Sequence, residues 1–250
     1  MTDSGHPLVR QPWLYEYIYP GAHIEAEEIC EAIIGQFKPG KGLNLLDVGC
    51  GTGAVLSGLV GLGNRGMGID TSEPMIDYAK LLHPELQIKL GDMRDFDLGE
   101  QFDIVLCVGS TFTYNLSNAN VHASLDNFRK HCADDGLLIL GMLNASRFLG
   151  SEIFNERVET RVEEGDFHAT AISRHLLDRR RQSFRRIRTW KIDGHDEPVV
   201  DDAEFRLFFP LELEDYLTQH RFAILGMWDN KDLLETDLSN RRLFVAARAV

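Results

Sequence analysis

The stretch Leu43-Asn-Leu-Leu-Asp-Val-Gly-Cys-Gly-Thr-Gly53 decides how the rest of the chain is read. Leu45, Leu46 and Val48 give the apolar run of a parallel strand covered on both faces, and Gly49, Gly51 and Gly53 let the backbone curl beneath a ligand that side chains would exclude. A helical pattern then runs from Ala54 through Val55, Leu56 and Leu59, so its free N–H groups point at the same turn. Spacing separates this turn from two other glycine loops. A dinucleotide fingerprint reads G-x-G-x-x-G and faces a pyrophosphate; a phosphate loop reads G-x-x-x-x-G-K-[ST]. Here the pattern is G-x-G-x-G, no lysine follows Gly53, and Asp47 stands just before the turn. That carboxylate would repel a pyrophosphate but suits an ammonium or a sulfonium. A nucleoside cofactor carrying positive charge is therefore expected, and a nicotinamide oxidoreductase is disfavoured.

Working outward, Gly66-Met-Gly-Ile-Asp70 is a short strand ending in an acid roughly twenty residues beyond the turn, where a carboxylate accepts hydrogen bonds from ribose hydroxyls. Thr71-Ser72 caps the next helix, whose inner face is Met75, Ile76 and Ala79, with Met75 either core or cofactor wall. A third strand, Leu86 to Leu90, runs into Gly91-Asp-Met-Arg-Asp-Phe96, in which Asp95 and Asp97 read as solvated. The fourth, Phe102 to Val108, opens into Gly109-Ser-Thr-Phe-Thr-Tyr-Asn-Leu116, and in open α/β sheets ligands sit outside such carboxyl ends. A helix over about Asn118 to Cys132, with His122 and His131 as surface residues, turns at Asp134-Asp-Gly136 into a fifth strand, Leu137 to Leu143.

From Arg157 the apolar period changes to two. Arg157 to Glu163, Phe167 to Leu177, Phe184 to Ile192 and Phe205 to Phe209 predict an antiparallel layer. Its basic run, Arg179 to Arg188, reads as a solvated face opposite Glu159, Glu163, Asp201, Asp202 and Glu204, with a phosphate site as the alternative. A helix from Pro210 and two strands, Phe222 to Trp228 and Arg242 to Arg248, complete the chain as a closing hairpin. Ahead of the first strand, residues 1–12 are polar, and Trp13 to Gly21 cluster aromatics before a helix that stops at Pro39-Gly40. Trp13 and Tyr17 read as packing residues; Tyr15 and Tyr19 are either packing or a lid.

The segment Leu46-Asp-Val-Gly-Cys-Gly-Thr-Gly53, followed by five βα units and an antiparallel pair, resembles the class I S-adenosylmethionine (SAM)-dependent methyltransferases. The implied fold is α/β, a Rossmann-like seven-stranded sheet with an inserted antiparallel β layer after the fifth strand. The resemblance implies SAM as cofactor, with Asp92 receiving the adenine amine and Met93 packing on the ring. The remaining cofactor candidates are Tyr19, Asp47, Gly49, Cys50, Gly51 and Gly53, then Asp70, Thr71, Met75 and Val108. The constellation Tyr15-Glu-Tyr-Ile-Tyr19, Gly91 to Phe96, Ser110-Thr-Phe-Thr-Tyr114, the insertion and Ser239-Asn-Arg-Arg-Leu-Phe-Val245 is similar to bacterial amino-sugar N-methyltransferases. By that similarity Tyr15 and Tyr114 lie beside the transferred methyl, and Ser110, Thr111 and Arg241 bind the acceptor. Two alternatives stay open: an O-methyltransferase using His168 or His175 as base, and a non-catalytic SAM-binding module.

Composition sets the outer limits. At 250 residues and 44% hydrophobic the chain suits one domain of residues 1–250: an aromatic and helical lid (1–42), a SAM-binding core (43–147), the inserted sheet (148–210) and a return to the core (211–250). A net charge of −13 disfavours nucleic acid, which recruits lysines and arginines, and leaves a small-molecule acceptor as partner, with a homodimer through the inserted sheet as a further option. The cysteines Cys30, Cys50, Cys107 and Cys132 are scattered, so no metal site is expected. No stretch approaches the ~20 apolar residues of a membrane span, and no basic, apolar leader opens the chain. A cytoplasmic protein is the expectation.

Overall fold

Strand β1, Asn44–Val48, alternates its side chains between two apolar layers, as a strand covered on both faces must. A computed structural model describes residues 11–19, 21–148 and 157–250. Most of the polar stretch 1–12, Pro20 and the lead-in to the insertion lie outside the described residues. The elements in order are α1 (Pro12–Ile18), α2 (Ala22–Phe37), β1, α3 (Ala54–Gly61), β2 (Arg65–Asp70), α4 (Glu73–Leu82), β3 (Gln87–Leu90) and β4 (Phe102–Cys107). There follow a 3-10 turn (Thr111–Tyr114), α5 (Asn118–His131), β5 (Cys132–Leu143) and α6 (Ala145–Phe148). The second half holds β6 (Val158–Glu164), β7 (Phe167–Asp178), β8 (Ser183–Ile192), β9 (Val199–Arg206), α7 (Pro210–Gln219), β10 (Phe222–Trp228) and β11 (Arg242–Ala249).

The main sheet has seven strands in the order β10-β11-β5-β4-β1-β2-β3. Strands β1 to β5 are parallel, and β11 lies antiparallel between β5 and β10. Strand order therefore reverses at β1, which has β2 on one side and β4 on the other, and a crevice opens at its carboxyl end. On one face Leu46 and Val48 meet Leu125 and Phe128 of α5 and Leu213 and Leu217 of α7. On the other, Leu45 meets Ile29 and Ile33 of α2, Leu56 and Leu59 of α3, and Ile76 of α4. The second sheet, β6-β7-β8-β9, is antiparallel throughout. Leu14 and Ile18 of α1 pack on its Ala169, Ala171, Trp190 and Ile192. The fold class read from the sequence is the one observed.

Several local expectations fail. The predicted turn at Asp134-Asp-Gly136 is a bulge inside one strand: Asp135 takes φ +59°, and pairing with β4 jumps from Phe102↔Cys132 to Ile104↔Leu137. Strand β9 starts at Val199, well before Phe205, because Asp201, Ala203 and Phe205 form one buried face and Asp202 and Glu204 the other, so the acidic stretch belongs to the sheet. His131 is buried rather than on the surface, accepting the Leu98 N–H at Nε2 (3.1 Å). His122 is half-buried, its Nδ1 2.8 Å from Nε2 of His220. Trp13 and Tyr17 do pack as expected, Trp13 stacking on His195 in the turn after β8 and Tyr17 on Phe167 of β7, so they dock α1 on the insertion. Among the described residues no helix is long and apolar enough to cross a membrane.

Candidate active site

The glycine turn is folded back on β2 by the N–H groups of Gly49 and Cys50, which both donate to the Ile69 carbonyl (2.8 and 3.0 Å). Gly49 and Gly51 hold φ at +77° and +55°, where an L side chain is strained. At Gly49 a Cβ would also lie 2.3 Å from Cγ2 of Thr111, so only glycine lets the β4 loop close over the turn. The Gly51 N–H donates to Oδ2 of Asp70 (2.9 Å), and Oδ1 of Asp70 accepts from Ser72 (2.9 Å). Asp70 thereby ties the turn to the cap of α4, where Ser72 Oγ accepts from Met75 (3.3 Å). Burial pushes its carboxyl up against the opposing pull of these N–H groups.

Asp47 is 2% exposed, and among the described residues its Oδ1 has no hydrogen-bond partner. Burial first, and the charge of Asp70 second, raise it to about 7. This buried carboxylate borders a cavity at the tip of β1. The turn itself (Gly49, Cys50, Gly51, Thr52) makes its floor; Val108, Gly109 and Thr111 close one side, and Tyr15 and Glu16 of α1, with Tyr19 at its C-terminal end, cover it. His23 and Arg242 complete the wall. Asp70, Thr71, Met75, Asp92 and Met93 are not among the lining residues and lie toward β2 and β3. Met75 is buried in α4. Asp92 is engaged by its neighbour Arg94, whose backbone N–H and Nε reach Oδ1 (3.0 and 2.7 Å) and whose terminal nitrogen reaches Oδ2. That arginine holds Asp92 below the usual carboxylate range. Met93 offers its sulfur to Asn115 and its carbonyl to Asn127 (both 3.2 Å).

Across the cavity the β4 loop is fixed by its backbone. Ser110 takes φ +73° and donates its N–H to the Gly141 carbonyl (2.9 Å), while the fully buried Phe112 anchors the 3-10 turn against Phe128 and Phe208. Tyr114 is thus carried to the second sheet, its ring 5.2 Å from that of Phe205. One side of Tyr114 is open, at 43% exposed, yet crowding by protein pushes its phenol up, and Tyr15 is pushed to about 12 by burial and then by Tyr19. Tyr15 and Tyr19 rings stand 5.0 Å apart. Arg188 NH1 donates to the Tyr19 hydroxyl (2.8 Å) and Nε to Ser173 (2.9 Å), and Arg186 pairs with the fully buried Asp201 (3.0 Å). Burial lowers both Arg188 and Arg241, and Arg241 also feels Tyr19 and Arg186.

Residues 45–136 match the profile described as a methyltransferase domain. The chain is 33% identical over 131 residues to the dTDP-3-amino-3,6-dideoxy-alpha-D-glucopyranose N,N-dimethyltransferase of Streptomyces fradiae, covering 51% of each chain. It is 36% identical over 116 residues to the dTDP-4-amino-2,3,4,6-tetradeoxy-D-glucose N,N-dimethyltransferase of Saccharopolyspora spinosa, 46% of each. The alignments span about half the length of these curated relatives. The SAM-bound structure of CalS10, an amino pentose methyltransferase from Micromonospora echinaspora, superposes with TM-score 0.77 at 25% identity, over 94% of this chain and 97% of that one. Residues 45–136 are a methyltransferase domain, and the fold around them is that of the class I SAM-dependent methyltransferases.

SAM is the cofactor of such a domain, and the residues present here fit it. The orphaned oxygen of Asp47 wants a donor or a cation, Asp70 retains lone-pair capacity beyond its N–H partners, and Gly51, where a Cβ would be strained and nothing lies within 4 Å of its place, leaves open space for a ligand. Sequence reasoning gave Glu16, His23 and Arg242 no role and read Asp201 as solvated, while Arg186 and Arg188 lie in the run for which a phosphate site was the alternative. The expectation that the basic run and its acids are a solvated face holds for Arg185 with Asp202 and fails for Arg186, Arg188 and Asp201. The signal was present: in β8, Arg186 and Arg188 share a face with the buried Phe184 and Trp190.

Proposed function

We propose that the chain moves a methyl group from SAM to the amine of a small acceptor, an amino sugar carried on a nucleoside diphosphate. The observation that carries this reading is the convergence of Tyr15, Tyr19 and Tyr114 with the desolvated Arg186 and Arg188 beside the cavity of the glycine turn. When bound, SAM supplies an electrophilic methyl on a positively charged sulfur. An amine brings its own lone pair, so the protein's task is to bind, orient and exclude water, and holding reactants in line is worth about 7 to 11 kcal/mol of a bimolecular barrier. Tyr15 and Tyr114, with phenols pushed up, stay protonated near neutral pH, and each oxygen can accept an amine N–H while holding the lone pair toward the methyl. Arg186, Arg188 and Arg241 bring positive charge and planar forks suited to phosphate oxygens, with Ser110 and Thr111 on the acceptor's other side. The names of the two curated relatives support an amine on a dTDP sugar.

On the cofactor side, Asp70 serves the ribose hydroxyls and Met93 packs on the adenine. Asp92 takes the exocyclic amine: of its roughly four lone-pair sites Arg94 uses three, leaving one on Oδ2. The division into lid, core, insertion and return is read here as functional, the insertion holding the acceptor.

One observation favours O-methylation as the second reading. His175 lies on the buried face of β7 against Phe184, and burial, then Arg186 and Arg188, hold it neutral and so able to take a hydroxyl proton. His168 is exposed on the opposite face. Mass spectrometry after incubating the full chain with SAM and either a dTDP-amino sugar or its hydroxy counterpart separates the cases. Methyl gain on the amine is expected. Gain on the hydroxy sugar alone overturns the assignment in favour of His175, and SAM binding without turnover on either leaves a non-catalytic module.

A further inference from the structure

We propose that Arg242 is the residue that recognises the carboxylate of SAM's amino-acid arm. The inference rests on the cofactor assignment and on the two-sidedness of the crevice at β1. Asp70, at the tip of β2, can serve a nucleoside only on the β2 side, so the rest of a ligand lying across β1 must reach the β4 side. That side is walled by Val108, Gly109 and Thr111 just after β4, by Tyr15 and Glu16 of α1 with Tyr19 at its end, and by His23 and Arg242. A free amino-acid arm presents an ammonium and a carboxylate together. Asp47, 2% exposed and orphaned at Oδ1, and Glu16 supply negative charge for the first. The second would be repelled by both acids unless a cation met it. Among the described residues lining this cavity, Arg242 is the one permanently charged cation.

Its geometry suits the role. Arg242 Nε is paired with Oε2 of Glu25 at 3.2 Å, and among the described residues no hydrogen bond occupies its two terminal nitrogens. A guanidinium held at one edge keeps the other edge for a planar, bidentate anion. The backbone beneath it is set before any ligand arrives. Arg242 opens β11 in register with Leu143, and Asn144 accepts the neighbouring chain into place, donating its N–H to the Arg241 carbonyl (2.9 Å) and its amide to the carbonyls of Leu238 (2.5 Å) and Asn240 (2.9 Å). Asp229 fastens the same loop by accepting from Thr236 Oγ1 (2.6 Å) and Asn240 N–H (2.8 Å). If Arg242 were only a clasp between α2 and β11, none of this would distinguish one ligand from another.

The test is calorimetric affinity of the full chain for S-adenosylhomocysteine and for 5′-methylthioadenosine, which keeps the nucleoside and thioether and lacks the amino-acid arm. In Arg242→Gln, affinity for S-adenosylhomocysteine should fall by about tenfold to a hundredfold, the scale of charge-assisted hydrogen bonds, while 5′-methylthioadenosine moves by less than about twofold. Arg242→Lys, which keeps the charge and loses the fork, should lie between Arg242→Gln and wild type for the first ligand only. Equal losses for both ligands, or an unchanged affinity for S-adenosylhomocysteine, would overturn the proposal and leave the cofactor assignment standing. Wild-type protein that bound neither ligand would overturn both. Melting temperatures of the variants separate a lost contact from a lost fold.

Discussion

Asp47 and Asp70 are two acids at one turn with opposite surroundings, and the difference is measurable. Asp70 accepts backbone N–H groups on both oxygens, so replacing it removes a tie between the turn and α4 and, on the proposed cofactor assignment, a ligand for ribose. Asp70→Ala should cost about 1.5 to 3 kcal/mol of SAM binding and lower the melting temperature as well, checked by calorimetry beside thermal unfolding. Among the described residues Asp47 has no such partner at Oδ1, and its carboxyl, raised to about 7, binds a proton in the folded state that the unfolded chain releases above about pH 4. Its contribution to stability without cofactor therefore falls as pH rises from about 4 to about 7 and is constant beyond that window. A cationic ligand reverses the preference, so SAM binding near pH 6.5 should release protons. Titrations in buffers of different ionisation enthalpy would count them, and Asp47→Asn should abolish the release; equal counts in both proteins would remove Asp47 from the cofactor site. Tyr114→Phe and Tyr15→Phe belong to the same scale: each should slow single-turnover transfer by about 1 to 3 kcal/mol in the transition state while leaving SAM affinity within about twofold. These cofactor residues were legible because the G-x-G-x-G spacing and the acid before it are local. The Asp47 orphan and the Arg94 fork on Asp92 were not, since both depend on what the fold brings near.

At the level of elements, the parallel core was the most legible part, because β1, β4 and β5 are continuous apolar runs flanked by glycine or polar turns. The bulge in β5 was not. Asp134-Asp-Gly136 has the composition of a turn, and only pairing with β4 on one side and β11 on the other keeps it in the sheet. Strand β8 shows the same limit in a functional place. Its alternation was visible, but a basic run reads as solvated until α1 and the 3-10 turn are known to pack over it. The pair Arg186 with Asp201 is then a charge held inside the protein, Asp201 fully buried and Arg186 5.1 Å over the ring of Phe205. Removing one partner of such a pair strands the other. Asp201→Ala should destabilise the fold by about 3 to 5 kcal/mol, seen as a lower urea midpoint, whereas Arg186→Met with Asp201→Leu should recover most of that loss. A midpoint unchanged in Asp201→Ala would mean that water, not Asp201, meets the guanidinium.

For the whole molecule, the question is what the outer face of the second sheet does. Its inner face is accounted for: α1 lies on Ala169, Ala171 and Trp190, and Tyr114 on Phe205. Outside, pairing across β7, β8 and β9 sets Ile172, Thr189 and Val200 in one row, Arg174, Ile187 and Asp202 in the next, and Leu176, Arg185 and Glu204 in a third. Leu176 and Val200 are 54% and 44% exposed, flanked by the Arg185 to Asp202 ion pair. A face of apolar residues rimmed by paired charges is the surface a two-fold contact uses, with the same patch on both copies. If the insertion serves both to hold the acceptor and to join two chains, the two roles sit on opposite faces and can be separated. Leu176→Asp places a charge at the outer face and touches nothing on the inner one. Light scattering should then report a dimer for the parent chain and a monomer for the variant, while single-turnover transfer per chain falls by less than about threefold, as expected for a change on the far side of the sheet. A parent chain that is monomeric at high concentration would remove the dimer role. A variant that stays dimeric would place the contact elsewhere, and one that loses transfer together with association would show that the acceptor pocket needs the second copy.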